Sequence, residues 1–426
     1  IKAYAQNDHV QNAFHVFCST PLRDSVTWNA MISAFARNGL GSQALHLFYQ
    51  MKEEGFVQDK ISFIAALDAC VLLRPVNIHL GRDIHAEVVC FGFEQNVLVS
   101  TAVLNMYGKC GNLGDANLVF EQLLNRDVAM WNAIIGLFAR AGNKKDALFK
   151  FGQMLKCGFS PDHVSFISVL EACALEEGQI VHAAVLDSSY ELDVEVSTAL
   201  FSMYGKHGSL CHATYVFNRM PFKSLVVWNA MIAVFSQNNR SKDALRLYKQ
   251  MHREGLKPDK STYTTLLDAC ANLASIEEGQ DVYKAVVCHQ HDEDIPVCNS
   301  LISFYGECGG MNEARKVFDR MLYRDRISWT AIMTASVQNG HSMEALRLFQ
   351  LMQLQGFQPD DVTFISILTG CGRSGLLEEG VHFFVSMNND HNIAPSGEHY
   401  LCMIYLLARA GRLDDAEKLI ENVPSG

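Results

Sequence analysis

All four tryptophans of the chain fall in one recurring phrase: Thr27-Trp28-Asn29-Ala30, Met130-Trp131-Asn132-Ala133, Val227-Trp228-Asn229-Ala230 and Ser328-Trp329-Thr330-Ala331. They stand 103, 97 and 101 residues apart, so a three-part unit recurs. In the first three units the parts are 35, then 37, 31 or 35, then 31 residues, each long enough for one helix pair and too short for a core of its own. At 426 residues the chain exceeds what one hydrophobic core holds, and the repetition selects an array with a continuous core over several globular domains.

Segment 25–59 shows how one part folds. Trp28, Met31, Ile32 and Phe35 mark one face at helical spacing, Asn38-Gly39 breaks the helix, Ala44, Leu45, Leu47, Phe48 and Met51 form a second amphipathic helix, and Gly55 ends it. The twentieth place of eight segments is alanine: Ala44, Ala116, Ala147, Ala213, Ala244, Ala314, Ala345 and Ala416. A small side chain there lets the two helices of a hairpin approach closely. One hairpin cannot bury its apolar face, but stacked neighbours can, and the predicted fold is an all-α superhelical solenoid with a concave groove.

Several function classes drop out. Apolar residues make up 49% of the chain but are spread without a run long enough to span a bilayer, so no membrane partner is expected. The 13 cysteines never form C-x-x-C and read as reduced thiols, with Cys70, Cys173, Cys270 and Cys371 at one repeated, buried place. No metal site, cofactor or small-molecule substrate is expected. His85-Ala86-Glu87 matches half of a deaminase zinc motif, but no P-C-x-x-C follows it, and phosphate-loop, dinucleotide and H-E-x-x-H motifs are absent, so no catalytic residue is assigned. A net charge of −11 argues against a nucleic-acid partner unless the bases gather on one face. The chain opens on Ile1, so the lack of a targeting peptide carries no information.

The phrases V-x-W-N-A-M-I, Q-M-x-x-x-G-x-x-P-D and M-Y-G-K-C-G-x-L resemble the pentatricopeptide repeat family, in its plant variety of alternating P, L and S repeats. The W-x₂-L-G-x₂-Y pattern of the neighbouring tetratricopeptide family is absent. The resemblance implies a right-handed superhelical solenoid of stacked helix-turn-helix repeats. It divides the chain into a partial S-type repeat at 1–24 and P-L-S triplets at 25–127, 128–224, 225–325 and 326–426, a piece cut at both ends of a longer protein in which extension motifs or a deaminase domain could follow.

The resemblance also implies a single-stranded RNA partner read at about one base per repeat by the fifth and last residues of each repeat. Asn29 with Asp59, Asn132 with Asp162, Asn229 with Asp259 and Asn299 with Asp325 would select U. Thr101 with Asp127 and Thr330 with Asp360 would select G, and Thr198 with Ser224 a purine. Ile64, Ile167 and Ile365 at the fifth place of L-type repeats have no hydrogen-bonding group and leave those repeats as spacers, with Thr264 the one polar exception. The implied string is 5′-U-N-G-U-N-R-U-N-U-G-3′.

The same Asp residues are good helix caps, which needs no RNA. At the thirteenth place, eight residues and two helical turns beyond each reader, stand Arg37, Lys109, Arg140, Lys206 and Arg409, candidate phosphate contacts, but also Gln237, Glu307 and Gln338. Apolar second-place residues Val26, Ala129, Val226 and Ile327 would flank bases or fill the core. The implied role is a specificity factor for C-to-U RNA editing or other transcript processing in a mitochondrion or chloroplast, working with editing cofactor proteins. The alternative is a helical-repeat scaffold for protein–protein interaction, which the acidic charge favours. The 31-residue repeat at 163–193 lacks about four residues of its siblings and is expected to disturb local stacking or RNA register.

Overall fold

The computed structural model describes residues 9–73, 77–420 and 423, so residues 1–8 of the partial first repeat lie outside the described ones. The described residues form helices and turns, without strands, and divide into two compact units, 1–221 and 222–426. In each unit the helices come in antiparallel-type hairpins joined by short turns. The first helix of a hairpin packs on its own second helix and on the first helix of the next hairpin.

After α1 (Val10–Ser19), the hairpin of α2 (Ser25–Arg37) and α3 (Gly41–Glu53) shows the local causes. Asp24 accepts the backbone N–H of Thr27 at 2.8 Å and starts α2, while Gly39, at φ +76°, turns the chain where a side chain would be strained. All eight twentieth-place alanines are buried, as their spacing predicted. So are the four tryptophans and the four repeated cysteines; loss of water raises those thiols to about 12, which keeps them protonated.

A clasp at the entrance to the Trp hairpins was not apparent from spacing. Phe17, Phe120 and Phe318 meet Trp28, Trp131 and Trp329 edge to face at 4.9, 4.8 and 4.9 Å. Arg23, Arg126 and Arg324 lie 4.7 Å over the same phenyl rings and donate through Nε to the phenylalanine carbonyls at 3.2, 3.2 and 3.0 Å. One guanidinium thus satisfies an orphan carbonyl at a helix end and covers an aromatic face. Before Trp228 these places hold Phe217 and Lys223.

Glycines set the spacing between hairpins. A Cβ built on Gly81, Gly178, Gly279 or Gly380 would lie 2.4, 2.3, 1.9 or 2.2 Å from Met106, Met203, Phe304 or Leu406, the tenth residue of the next hairpin. Only the bare backbone leaves room for that large side chain. The short repeat at 163–193 keeps this socket. Its first helix, His163–Ala172, loses its last turn, and extended Cys173 leads almost at once into Leu175–Leu186. His207 Nε2 lies 2.9 Å from the Cys173 carbonyl that the lost turn would have bonded. The expected loss of stacking does not occur, because the deletion is absorbed between the helices rather than at the contact with the next hairpin.

Ion pairs join several successive second helices. Lys52 pairs with Glu87 at 2.6 Å, Arg82 with Asp115 at 2.8 Å and Arg315 with Glu344 at 2.5 Å, and Lys150, only 4% exposed, pairs with Glu121. His85 bonds the Tyr107 hydroxyl at 3.0 Å, and burial pushes the imidazole below its ordinary value. The two ends of the His85-Ala86-Glu87 phrase are therefore engaged with different neighbouring helices. No cluster of three or more metal-ligating side chains occurs among the described residues, and no described helix is long and apolar enough to cross a membrane.

Candidate functional site

The fifth and last residues of a repeat meet in space because the last residue is the N-cap of the next first helix, which packs beside the first helix carrying the fifth. Asn29 Nδ2 donates to both Asp59 carboxylate oxygens at 2.9 Å, Asn132 to Asp162 at 2.9 Å, Asn229 to Asp259 at 3.0 Å and Asn299 to Asp325 at 3.2 Å. The four expected Asn/Asp pairs are thus hydrogen-bonded. Capping is equally real: Asp59, Asp127, Asp162, Asp259, Asp325 and Asp360 each accept the N–H three residues on, at 2.8 to 3.0 Å. The two roles coexist, since a carboxylate has sites for several donors.

The threonine pairs differ. Thr101 and Thr198 donate to the carbonyls of Val97 and Val194 in their own helices, at 2.7 and 2.6 Å, and Thr101 makes no hydrogen bond to Asp127. Thr330 lies 3.0 Å from the Thr363 hydroxyl, which donates to Asp360 at 2.7 Å, so that pair is joined through a third residue. Asp360 is further held by Arg326 at 3.0 Å. Ser224 begins the helix Leu225–Gln237 with no side-chain cap.

Burial pushes the Asp162, Asp259 and Asp325 carboxyls up, but the converging N–H and O–H donors outweigh it and hold each below its ordinary value of 3.8. They stay ionised at neutral pH and can only accept. An acceptor-only partner determines which end of each asparagine amide faces it, namely Nδ2. Asn29, Asn299 and Thr330 are buried in the chain alone, at 4%, 8% and 9% exposure, whereas Asn132 and Asn229 are half-exposed. Ile64 and Ile167 are also half-exposed and offer no polar group, and Leu401, at the fifth place of the last repeat, is exposed.

The second-place residues Val26, Ala129, Val226 and Ile327 are all exposed, which removes the core alternative for them. Leu98, Ile61, Val164 and Val362 continue the same place in other hairpins, also exposed. The thirteenth-place residues Arg37, Lys109, Arg140, Lys206, Gln237, Glu307, Gln338 and Arg409 are exposed as well. Arg409 is not free: its Nη1 donates to the carbonyls of Gly372 and Arg373 at 3.0 and 2.8 Å, a helix-end role that the spacing did not reveal.

Asp68 lines a hollow of about 410 Å³ together with Arg37 and Lys109. Partial removal from water raises its carboxyl, against the pull of Lys109 and Arg37. Asp268, at the same place in the second unit, is raised by loss of water and further by Glu307. The basic and acidic places therefore alternate in the first unit, while in the second an acid faces an acid.

Profiles of pentatricopeptide repeats match the chain over much of its length: the PPR repeat at 26–56, 99–128, 297–325, 362–391 and 398–424, the PPR repeat family at 223–272 and 324–373, and the pentatricopeptide repeat domain at 124–175. A pentatricopeptide repeat-containing protein of Arabidopsis thaliana is 34% identical over 99% of this chain and 61% of the relative. A chloroplastic one is 35% identical over 99% of this chain and 52% of the relative, and a mitochondrial one 32% over 99% and 49%. The chain thus spans about half to three-fifths of these relatives. Among solved structures, the fold is shared with maize PPR10, alone (TM-score 0.54, 19% identity, 98% of this chain and 71% of that one) and in complex with an 18-nucleotide psaJ RNA element (0.53, 19%, 98% and 67%). An all-helical stack of hairpins, matching repeat profiles and full-length similarity to plant relatives agree: the chain belongs to the pentatricopeptide repeat family.

Proposed function

We propose that this chain is a sequence-selective binder of single-stranded RNA, working in a plant mitochondrion or chloroplast and reading 5′-U-N-G-U-N-R-U-N-U-G-3′ from its first complete repeat onward. The observation that carries the reading is the hydrogen-bonded Asn–Asp pair, repeated four times at one place in the hairpin. The half-exposed Asn132 and Asn229 each give one N–H to a single carboxylate oxygen and keep a second N–H and a carbonyl lone pair, the donor–acceptor pair that matches the N3–H and carbonyls of uracil. Exposed aliphatic residues beside the readers supply a surface on which unstacked bases pack. Arg37, Lys109, Arg140 and Lys206 supply phosphate contacts, and Arg409 a weaker one because of its helix-end bonds.

The P-L-S triplet order of the repeats supports a role as specificity factor for C-to-U editing or other transcript processing, with catalysis supplied elsewhere. Maize PPR10 in its RNA complex, and relatives named as chloroplastic and mitochondrial, support the partner and the compartment. The test is equilibrium binding of the chain to a single-stranded RNA bearing the string and to one with U and G exchanged. Preferential binding of the first is expected, and equal binding at moderate salt would overturn the reading. Asn132→Thr should move the fourth position from U towards G by about 1–3 kcal/mol. A second reading, a protein-binding scaffold, draws on exposed Leu22, Leu124, Phe222 and Tyr323, which recur at the turns before the Trp hairpins. Failure of both RNAs to bind would favour it.

A further inference from the structure

The readers have a neighbour that belongs to the following repeat. Three residues after the capping aspartates that end complete repeats, a hydroxyl stands in five cases: Ser62, Ser165, Thr262, Ser328 and Thr363. Each closes a capping box, taking the N–H of its aspartate while its own N–H goes to the carboxylate. Capping accounts for the hydroxyl's acceptor side. It does not account for where the hydroxyl proton goes.

In two repeats that proton reaches the reader. Ser165 Oγ lies 2.5 Å from Asn132 Oδ1, against 2.9 Å from Asp162, and Thr262 Oγ1 lies 2.7 Å from Asn229 Oδ1, against 2.9 Å from Asp259. The ionised aspartate takes Nδ2, so the oxygen end of the amide must face the hydroxyl, and a hydroxyl can donate to it. Both ends of the amide are then held, by two residues 30 and 33 positions along the chain. In the repeat of Thr330 the same place, Thr363, forms the link between reader and aspartate. Elsewhere the link is open: Ser62 and Ser328 bond only their aspartates, and Asn29 Oδ1 and Asn299 Oδ1 are buried without a partner. Where the place is apolar, as at Met130 and Val227, Thr101 and Thr198 bond only the carbonyl four residues back in their own helices, whereas Thr330 lies 3.1 Å from the equivalent Arg326 carbonyl and 3.0 Å from Thr363.

We propose that Ser165, Thr262 and Thr363 are positioning residues for base selection: the third side chain of the following repeat fixes the orientation of the reader and so what it offers to the RNA. This rests on the base-reading function proposed above. Without the hydroxyl, the amide keeps one tether and can tilt or exchange its remaining donor and acceptor, so that a base presenting the opposite pattern is penalised less. Specificity at one base is then set by three residues from two repeats.

The test uses the full chain and four synthetic single-stranded RNAs carrying the predicted string with U, G, A or C at the seventh position, opposite Asn229. Thr262→Val is expected to reduce the preference for U there about three- to tenfold, the worth of one net hydrogen bond. The preference at the fourth position should stay unchanged, and Thr262→Ser should restore the wild-type profile. Thr262→Val also breaks a capping box, so Ser62→Val serves as the control: it loses the same box but no bond to a reader. Its preference at the first position is expected to hold while its melting temperature falls. An unchanged profile in Thr262→Val, or equal losses in both variants, would overturn the proposal, provided Asn229→Ala abolishes the preference at the seventh position. If Asn229→Ala leaves that preference intact, base reading itself is what fails.

Discussion

Asn132 and Asn229 are held at both ends of their amides, Asn29 and Asn299 at one, although all four sit at the same place in first helices of 13 residues. The difference lies in one hydroxyl rotor. Ser62 spends its proton on the Asp59 carbonyl at 2.8 Å, and Ser165 spends the equivalent proton on the reader. It teaches that the Asn–Asp pair is one edge of a small network, and that two repeats with the same pair of letters need not hold their reader equally firmly. A buried carbonyl without a donor costs about 1–3 kcal/mol. The open repeats carry that cost until a ligand, water or rotor supplies the bond.

The comparison breaks first on stability. Asn229→Leu strips a donor from Asp259 and an acceptor from Thr262, and is expected to cost about 2 kcal/mol. Asn29→Leu also removes a donor, but it relieves an unpartnered buried oxygen, and should cost no more than about 1 kcal/mol. Denaturant unfolding of the two variants measures the difference, and equal losses would mean that open and closed networks are energetically alike.

Removing the aspartate tests both roles at once. Asp259→Asn retains a side chain that can cap, but its amide can turn either end to Asn229, so the amide of the reader is no longer oriented by an acceptor-only partner. A fall of about 1 kcal/mol in preference for U at the seventh position is expected, with a smaller stability loss of about 0.5 kcal/mol. Calorimetric melting beside RNA titration separates the two. A stability loss with an unchanged base profile would leave Asp259 as a cap alone.

Much of this was legible in the sequence for physical reasons. Helical spacing in Trp28, Met31, Ile32 and Phe35, the breaks at Asn38-Gly39 and Gly55, and alanine at the twentieth place each act within one hairpin, and local patterns report local structure. Each Asn meets its Asp because repeat length fixes which residues become neighbours. What was hidden depends on a partner in another repeat. Gly279 reads as a helix-weakening residue until Phe304 is seen filling the space where its Cβ would be. Arg324 and Arg409 look like free charges until their helix-end carbonyls appear. The third-place hydroxyls were visible as D-x-x-S/T, a capping signature, and nothing in that signature says whether the proton turns to the aspartate or across to the reader.

Acid offers a finer test. Asp162 and Asp259 have carboxyls held below 3.8 in the folded chain, so the stability they contribute is present above the ordinary carboxylate range and is lost as pH falls through the lower folded value. Neither network should change between about pH 5 and pH 8. Preference for U at the fourth and seventh positions is therefore expected to be flat across that range. A decline already at about pH 6 would place the tether on a group other than these carboxylates.

The smallest expected effect separates reading from phosphate positioning. In the first unit Asp68 sits between Arg37 and Lys109, whereas in the second the carboxyl of Asp268 is raised by Glu307, and Gln237 and Gln338 bring no charge. On the proposed reading, an RNA backbone passing Asp268 and Glu307 would meet acids at this level, and affinity there would rest on the bases. Glu307→Lys would remove a repulsive charge and add a phosphate partner, and the lysine beside Asp268 would draw its carboxyl back towards the ordinary range. The salt dependence of RNA binding is expected to steepen by about one counterion and the affinity at low salt to rise a few-fold. The base profile at the seventh and ninth positions should not move, because Glu307 touches neither reader network. A changed profile would show that charge at the thirteenth place steers which base is read, and would erase the division between the readers and the ladder of charges beside them.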